Sequence, residues 1–423
     1  LDQNLIDPTV SAYTGLSATM QGQFEASYQA QEDVYNSNSY HVSQGMVAKN
    51  VGASAAVFTQ NAAWVGAAGR RNILLTNPVD IDDLFGIASI TKTFIAALAL
   101  SMNDAGKVDV DTLTVADVLS ACVTNNEAEQ CDYYEDYIPG NITLDSLLSH
   151  TSGLARLIDN LDQVVEGNNP WSGLLSPDWT AADWVKKRSI PLSLGRPGRR
   201  EYADINYWLA GLMLDRVLKD GNEPRSIEEE LRARFLTPLN LRNTFMGTDN
   251  FASSRLVVGH ASVKNGVVPN LFNLLGGIPF LRDRDIVRIA SYAGGMVSTA
   301  EDIGRWGQAL FHRTELQGES ELLSGPSLDK LDRYIDYSSS MCSQNKYGNI
   351  GVYGAFLCYS KNDFGSPGEH TVSVLLVNQD NNIPVISSTQ YYIPELRDHG
   401  IIRGLQNLAS DFECSHQGEL CER

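Results

Sequence analysis

Apolar positions in this chain have strand-like spacing near both ends and helix-like spacing in the middle. The runs Ala53–Phe58 and Asn61–Gly66 flank a short polar turn, which predicts a β-hairpin. The later runs Tyr347–Tyr359 and Thr371–Asn378 alternate or continue with Val, Ile, Tyr and Phe, as strands do. Strands at both ends predict one sheet that is built from the two terminal parts of the chain.

The middle of the chain has the apolar spacing of amphipathic helices. Thr143 is an expected N-cap residue and Gly153 an expected helix end, while Ser298 begins a capping box with Glu301. His150, near the end of a short apolar helix, is expected to be structural rather than catalytic. The predicted helices lie at about 17–33, from Ser89 to Ala105, at 143–153, 205–219 and 226–236, around Trp306, and at 397–410.

These elements predict an α/β (α+β) fold in which helices flank the sheet and a mostly helical domain is inserted into the chain. The sheet domain is expected to consist of residues 1–110 and 285–423, and the helical domain of residues 111–284. An active site is expected at the interface of the two domains.

The composition is that of a globular protein with room for one large domain or two. Of its 423 residues, 43% are hydrophobic and 20% are charged. Its 51 acidic and 32 basic side chains give a net charge of −19, which argues against a nucleic-acid or anionic-membrane partner. No apolar run approaches the roughly 18–20 residues that span a bilayer, so no transmembrane segment is predicted. The oligomeric state stays open.

Six cysteines fall into three near pairs, which favours disulfide bonds and a secreted or periplasmic location. Pairing of Cys342 with Cys414 is an alternative to sequential pairing, and free thiols in a cytosolic protein are another. No C-x-x-C or Cys/His spacing indicates zinc, and neither H-E-x-x-H nor G-x-x-x-x-G-K-[ST] occurs. The sequence therefore predicts no metal and no cofactor. The near pairs are Cys122/Cys131, Cys342/Cys358 and Cys414/Cys421.

Chemistry is indicated first by Phe85–Thr93, in which Ser89 lies three residues before Lys92 at the start of an apolar helix. Positions i and i+3 are neighbours on a helix, so the lysine amine can reach the serine hydroxyl. The first helical turn also offers unpaired N–H groups and a positive dipole end to a developing oxyanion. This S-x-x-K arrangement is a nucleophile with a built-in base, although the spacing recurs at Ser327–Lys330 and Ser343–Lys346.

Two further segments can complete such chemistry. Tyr202 lies on a loop before a helix, and an adjacent lysine ammonium is expected to lower its pKa so that the pair shares a proton during acylation. Lys346 opens a predicted strand and can orient a substrate carboxylate, while Gly348 lets the substrate approach that strand closely. A backbone N–H near Asn349 can complete an oxyanion hole with the N–H of Ser89.

Together these segments resemble the family of class C β-lactamases, serine DD-peptidases and related esterases and D-aminopeptidases. The matching segments, in order over roughly residues 50–412, are Phe85–Thr93, Leu147–Leu154, Tyr202–Tyr207, Phe235–Leu241, Ala293–Thr299 and Lys346–Gly354. The resemblance implies a β-lactamase/transpeptidase-like fold with an antiparallel sheet. It also implies that Ser89 is acylated, that Lys92 and Tyr202 move protons, and that Lys346 helps to orient the substrate.

Three features depart from the family pattern. Asp204, expected beside the substrate, stands where asparagine is usual, and its charge is expected to raise the pKa of Lys92 and make it a poorer base. Tyr347 replaces a small residue of the third motif and narrows the expected cleft. The strand expected before that motif is not evident, so Asn349–Gly351 is an alternative position for it.

The sequence therefore predicts a serine hydrolase that acts on a small-molecule or peptide substrate through an acyl-enzyme on Ser89. A D-amino-acid peptidase or carboxypeptidase and a β-lactamase-like enzyme are the leading interpretations. An esterase or transacylase of the same fold is an alternative. A catalytically impaired relative that binds ligands is another, because of Asp204 and Tyr347.

Overall fold

The computed structural model describes residues 19–26, 52–59, 63–72, 77–119, 138–154, 196–258, 260–263, 266–269, 283–311, 322–335, 347–349, 354–360, 370–376, 405 and 408–409. The helices with defined bounds are α1 (Thr91–Asp104), α2 (Val115–Leu119), α3 (Leu144–Leu148), α4 (Asp204–Asp220), α5 (Ile227–Leu231), α6 (Asp283–Gly294), α7 (Ala300–Phe311) and α8 (Gly325–Ile335). The strands are β1 (Gly52–Thr59), β2 (Ala63–Gly69), β3 (Phe85–Gly86), β4 (Phe245–Met246), β5 (His260–Val263), β6 (Gly266–Pro269), β7 (Met296–Ser298), β8 (Tyr347–Asn349), β9 (Gly354–Ser360) and β10 (His370–Leu376).

The main sheet confirms that both ends of the chain build one antiparallel structure. Its strand order is β2-β1-β10-β9-β8, and its pairings are antiparallel. Ala53 in β1 lies opposite Leu376 in β10, so strands from the two ends of the chain are hydrogen-bonded neighbours. The predicted hairpin is also present, although its second strand runs over Ala63–Gly69 rather than Asn61–Gly66.

Helices cover both faces of this sheet. On one face α7 lies close, because a Cβ added at Gly304 would be 2.5 Å from Phe58 and one at Gly307 would be 2.6 Å from Leu357 and Thr371. On the other face, β1 and β10 pack against terminal helical residues, namely Met20, Phe24, Leu405 and Ala409. Burial of both faces explains why every residue of β1 and β10 is buried.

The central helix of the fold is α1, in which 11 of 14 residues are buried. Trp306 of α7 stacks on Phe94 with the ring centroids 4.0 Å apart and donates its indole N–H to Thr93 Oγ1 at 2.7 Å. Removal of a buried aromatic ring costs about 3–5 kcal/mol, so Phe94→Ala is expected to destabilise the fold by that order. This packing fixes the start of α1, where Lys92 lies.

The helix predicted to end at Gly153 ends earlier. Thr143 caps α3 as predicted and accepts the Ser146 N–H at 3.2 Å, but the helix stops at Leu148. His150 then adopts a left-handed conformation with φ 59°, a value that histidine tolerates better than most residues. The predicted end was wrong because a histidine takes the left-handed position that the sequence suggested for glycine.

A smaller sheet, β3-β7-β4, holds the segment before α1. Phe85 lies opposite Ser298 in the β3–β7 pairing, so Ser298 ends a strand and does not cap α7 as predicted. The capping residue is its neighbour Thr299, whose Oγ1 accepts the Asp302 N–H at 3.3 Å. The prediction was one residue out of register because strand pairing extends through Ser298.

No helix in the described part of the chain is long and apolar enough to cross a membrane. The division into a sheet domain of 1–110 with 285–423 and a helical domain of 111–284 stays a prediction. Of the six cysteines, Cys358 lies within the described residues, buried in β9, and the predicted pairs involve residues outside them.

Candidate active site

The candidate nucleophile lies on a turn that β7 holds in place. Ser89 is the middle residue of a 3-10 turn before α1, and Ala88 has φ 46°, a left-handed value that costs a non-glycine residue about 1–2 kcal/mol. The Met296 C=O accepts the Ile87 N–H at 3.0 Å, and the Met296 N–H donates to Thr91 Oγ1 at 3.1 Å. One strand residue therefore fixes the backbone on both sides of Ser89.

Lys92 extends from the first turn of α1 toward the serine and is hydrogen-bonded to three acceptors. Its Nζ donates to Ser89 Oγ at 3.0 Å, to Asp204 Oδ1 at 2.7 Å and to the Ala293 C=O at 2.5 Å. The side chain is 6% exposed. Since an ammonium has three N–H donors and no acceptor, this environment satisfies the charged form of Lys92 completely.

Tyr202 lies on the other side of the serine. Its hydroxyl oxygen is 2.6 Å from Ser89 Oγ, and Lys92 Nζ lies 5.0 Å from the centre of its ring. Because the lysine ammonium can only donate to Ser89 Oγ, the serine hydrogen is available to Tyr202. The three side chains thus form a continuous path for a proton that leaves the nucleophile.

The charge of Asp204 decides the protonation state of the lysine. Burial lowers the pKa of Lys92, but the Asp204 charge, the Tyr202 oxygen and their hydrogen bonds outweigh that effect and leave the pKa above its ordinary value. Asp204 begins α4, where a negative charge is favoured by the positive end of the helix dipole. The predicted influence of Asp204 on the pKa of Lys92 is confirmed.

Lys92 lowers the pKa of Tyr202 as expected, but the net pKa is raised. Removal of water from the hydroxyl raises the pKa of Tyr202 more than the neighbouring Lys92 lowers it. The sequence indicated the lysine but could not show how tightly the phenol is packed. At neutral pH the site therefore holds a lysine ammonium and an un-ionised tyrosine, with both shared protons in place.

A buried polar group behind Tyr202 supports the loop that carries it. His150 Nδ1 lies 3.2 Å from the Ala203 N–H and 3.0 Å from Asn206 Nδ2, and Asn206 Oδ1 accepts the Ser152 hydroxyl at 2.6 Å. Because the backbone N–H can only donate, Nδ1 is the unprotonated ring nitrogen. The histidine ring lies 4.5 Å from the ring of Tyr202 and positions it.

The edge strand β8 lies next to the Ser89 turn. Gly348 pairs with Ala355 and Asn349 with Gly354, which leaves the opposite edge of β8 facing away from the described sheet. Gly348 and Asn349 therefore lie on the strand that is predicted to bind the substrate. Lys346 lies outside the described residues, so its predicted role stays a prediction.

A small cavity opens beside the nucleophile. Its volume is about 40 Å³, and the residues that line it include Ser89, Tyr202, Arg200, Tyr334 and Leu357. Such a space has room for a few water molecules. Arg200 is held there by donation to the Arg333 and Tyr334 carbonyl oxygens at 2.9 and 3.1 Å.

The Ala293 carbonyl is a site group that the sequence reasoning did not assign. Ala293–Thr299 was recognised as a matching segment, but a backbone acceptor 201 residues from Lys92 has no side-chain signal. The structure also distinguishes the two S-x-x-K candidates in its described range, because Lys92 contacts Ser89 whereas Ser327 and Lys330 contact other partners. Ser327 and Lys330 lie on α8 and bond Asp104 and Asp111, far in sequence from Tyr202.

The described residues include no group of three or more His, Cys, Asp or Glu side chains that could hold a metal ion. The side chains gathered at Ser89 are a hydroxyl flanked by an ammonium and a phenol. Such a group can attack a carbonyl carbon and pass its proton along the Lys92–Tyr202 pair.

Comparison with known proteins places the chain in a family. The family model described as Beta-lactamase matches residues 41–393. A curated relative, Protein flp of Staphylococcus aureus (strain MW2), is 24% identical over 223 residues, which are 52% of this chain and 37% of the relative. The matched stretch thus spans little more than a third of that relative.

Solved structures of similar fold include the D-amino acid amidase from Ochrobactrum anthropi SV3, with 18% identity, a TM-score of 0.58, and coverage of 96% of this chain and 99% of that one. The octameric penicillin-binding protein homologue from Pyrococcus abyssi has 17% identity and a TM-score of 0.58, with coverage of 95% and 78%. The D-stereospecific amidohydrolase from Streptomyces sp. has 20% identity and a TM-score of 0.55, with coverage of 84% and 94%. At these identities the likeness shows the fold.

Proposed function

This chain belongs to the Beta-lactamase family, and from that premise we propose that it is a serine hydrolase that cleaves amide or ester bonds through an acyl-enzyme on Ser89. The observation that carries the proposal is the simultaneous contact of Ser89 Oγ with Lys92 Nζ and the Tyr202 hydroxyl. A serine with one neighbour of this kind is common, whereas a serine between an ammonium and a phenol on a strained turn is arranged for proton transfer.

In the proposed acylation, a bond forms between Ser89 Oγ and the carbonyl carbon while the bond to the leaving nitrogen or oxygen breaks. The serine proton passes through the Lys92–Tyr202 pair to the leaving group. Water then attacks the acyl carbon in the second half-reaction, the bond from that carbon to Ser89 Oγ breaks, the carboxylic acid leaves, and one proton of the water returns to the serine oxygen. The N–H of Ser89 and an N–H of β8 are the groups we assign to the oxyanion.

The substrates that we propose first are amides or peptides of D-amino acids. The similar folds of a D-amino acid amidase and a D-stereospecific amidohydrolase support this choice over β-lactams. A carboxypeptidase or β-lactamase-like activity and an esterase or transacylase activity remain as alternatives within the same mechanism, and acyl-transfer rates with matched amides and esters separate them.

A second candidate function is a ligand-binding relative that acylates poorly. The observation that favours it is the complete pairing of the Lys92 ammonium, which holds the proton that acylation has to displace. This candidate predicts ligand binding without a covalent adduct at any pH at which the protein stays folded.

We also propose a secreted or periplasmic location. The support for it is that Cys358 is disulfide-bonded, which is typical of oxidising compartments. Fractionation of the native host, with alkylation of free thiols before and after reduction, tests the location and the cysteine state together.

Intact-protein mass spectrometry tests the main proposal. The protein is incubated with a fluorophosphonate, a p-nitrophenyl ester, penicillin and a D-amino acid p-nitroanilide, beside Ser89→Ala and the matched control Ser327→Ala. We expect one adduct per chain on the wild type and on Ser327→Ala, and none on Ser89→Ala. Failure of all four probes on the folded wild type would overturn the hydrolase and favour the ligand-binding relative.

A further inference from the structure

We infer that Asp204 is a specificity-determining residue that binds the protonated α-amino group on the acyl side of the substrate. The preferred substrates are then amides, peptides or esters whose acyl residue has a free amine, rather than N-acylated ones. This inference rests on the proposed function, because it describes which acyl groups reach Ser89.

The first observation is the unused acceptor capacity of the Asp204 carboxylate. Its Oδ1 accepts from Lys92 Nζ at 2.7 Å, and among the described residues Lys92 is its only hydrogen-bond partner. A carboxylate has about four lone-pair sites on two oxygens. The Asp204 side chain is 29% exposed whereas Lys92 is 6% exposed, so the open side of this ion pair is the carboxylate.

The second observation is distance. Ser89 Oγ and Asp204 Oδ1 are both bonded to Lys92 Nζ, so they are at most about 6 Å apart. In an α-amino acid derivative the amine lies about 2.5 Å from the carbonyl carbon, by standard bond lengths and angles. A substrate whose carbonyl carbon meets Ser89 Oγ therefore carries its amine within reach of the Asp204 carboxylate.

The third observation is chemical type. An ionised carboxylate accepts hydrogen bonds and cannot donate them. It matches an ammonium, which only donates, and it opposes the carbonyl oxygen of an N-acyl group, which only accepts. An asparagine at this position would have an N–H to offer such a carbonyl. The aspartate therefore favours the free amine and disfavours the acylated one, and both effects act in the same direction.

Binding of an ammonium at this place also affects the proton path. A second cation on Asp204 would share its negative charge and add repulsion to Lys92, which weakens the hold on the lysine proton. The substrate amine would then help to release the proton that the free protein retains. The preference for a free amine is accordingly expected in the acylation rate constant as well as in KM.

The experiment compares three p-nitroanilides. They are alanine p-nitroanilide and its N-acetyl derivative, each as both enantiomers, and the desamino analogue propionyl p-nitroanilide. The desamino compound separates charge from bulk. For the wild type we expect kcat/KM for the free amine to exceed that for each uncharged analogue by at least about tenfold, as a charge-assisted contact typically provides. Asp204→Asn should remove most of this ratio, and Asp204→Glu should restore part of it.

The ratio between substrates, not the absolute rate, is the readout, because Asp204→Asn also changes Lys92. Equal kcat/KM for the free-amine and desamino compounds in the wild type overturns the inference, as does an unchanged ratio in Asp204→Asn. Fluorophosphonate labelling of the same samples distinguishes the two failures. If Ser89 is labelled but the enzyme shows no preference for the free amine, only the inference is refuted. If the protein is folded but no Ser89 adduct forms, the proposed function is refuted and the inference with it.

Discussion

The chain contains the same four-residue pattern in two described regions, and the pattern means different things in each. At Ser89–Lys92 the lysine donates to the serine and is almost fully buried. At Ser327–Lys330 the serine donates to Asp104 at 2.7 Å, and the lysine lies 3.7 Å from Asp145 and contacts Asp111. The second serine and lysine are each held by a different carboxylate.

The difference lies in where each pair stands relative to a helix start. Ser89 occupies a 3-10 turn ahead of α1, so its hydroxyl and the Lys92 side chain turn toward the same space. Ser327 and Lys330 both lie within α8, where i and i+3 side chains can meet, but Asp104 binds the serine and Asp111 binds the lysine. Helical spacing permits a serine–lysine contact, but the surrounding charges decide whether it forms.

Replacement of each serine should give the largest difference between the two regions. We expect Ser89→Ala to lower the acylation rate by at least about a thousandfold, because the nucleophile is gone, and Ser327→Ala to leave it unchanged. Stopped-flow release of p-nitrophenol measures both. Equal loss in the two variants would mean that the Ser89 effect is one of folding rather than chemistry.

Removal of each lysine should have the next largest effect. Lys92→Met is expected to lower the acylation rate by about a hundred- to ten-thousandfold, since it interrupts the proton path. Lys330→Met should leave the rate unchanged and cost less than about 1 kcal/mol in the free energy of unfolding, as partly exposed ion pairs do. Single-turnover acylation and urea titration measure the two quantities. A normal rate for Lys92→Met would remove the lysine from the mechanism.

The carboxylate partners of the two lysines should differ in their effect on the pH dependence of acylation. The raised pKa of Lys92 keeps its proton in place at neutral pH, so acylation of the wild type should quicken as the pH rises. Asp204→Asn removes the charge that raises this pKa, and the pH of half-maximal acylation should move lower. Asp145→Asn, at the second lysine, should not move it. A pH profile of kcat/KM with an uncharged ester checks this, and coincident profiles for wild type and Asp204→Asn would refute the charge argument.

The smallest effect concerns the stability provided by the second pair. Burial raises the pKa of Asp104, but its hydrogen bonds from Ser324 and Ser327 outweigh that effect and hold the pKa below the ordinary value. Stability from these bonds is therefore present above the unfolded pKa and is lost as the pH falls through the folded one. Ser327→Ala should cost about 1 kcal/mol at pH 7 and less at pH 3. Urea titrations at the two pH values measure it, and an equal cost at both would separate Ser327 from the titration of Asp104.

Much of the fold follows from local signals. The β1–β2 hairpin, the Thr143 cap and the helix over Asp204–Asp220 lie where apolar spacing and capping residues placed them. These features depend on residues close together in the sequence. That strands from both ends of the chain form one sheet was also predictable, because strand-like runs lie near both ends, whereas the pairing of β1 with β10 itself was not predicted.

For the candidate site, the sequence could indicate which side chains take part but not their pKa values or their backbone partners. Ser89, Lys92, Tyr202 and Asp204 could be proposed from spacing and resemblance, and the structure places them in one cluster. The net pKa of Tyr202 could not be inferred, because it depends on packing that no short segment encodes. The acceptor role of Ala293 could not be inferred either, since any residue offers the same carbonyl.

The contacts of Lys92 also set a time at which the nucleophile can first work. Ala293 is made 201 residues after Lys92, and at 5–20 residues per second this takes about 10 to 40 s. Until then the nascent chain contains Ser89 without the carbonyl that fixes its lysine or the β7 strand that fixes its turn. The Ser89 hydroxyl is therefore expected to be an ordinary alcohol at least until the ribosome has passed Ala293 and β7.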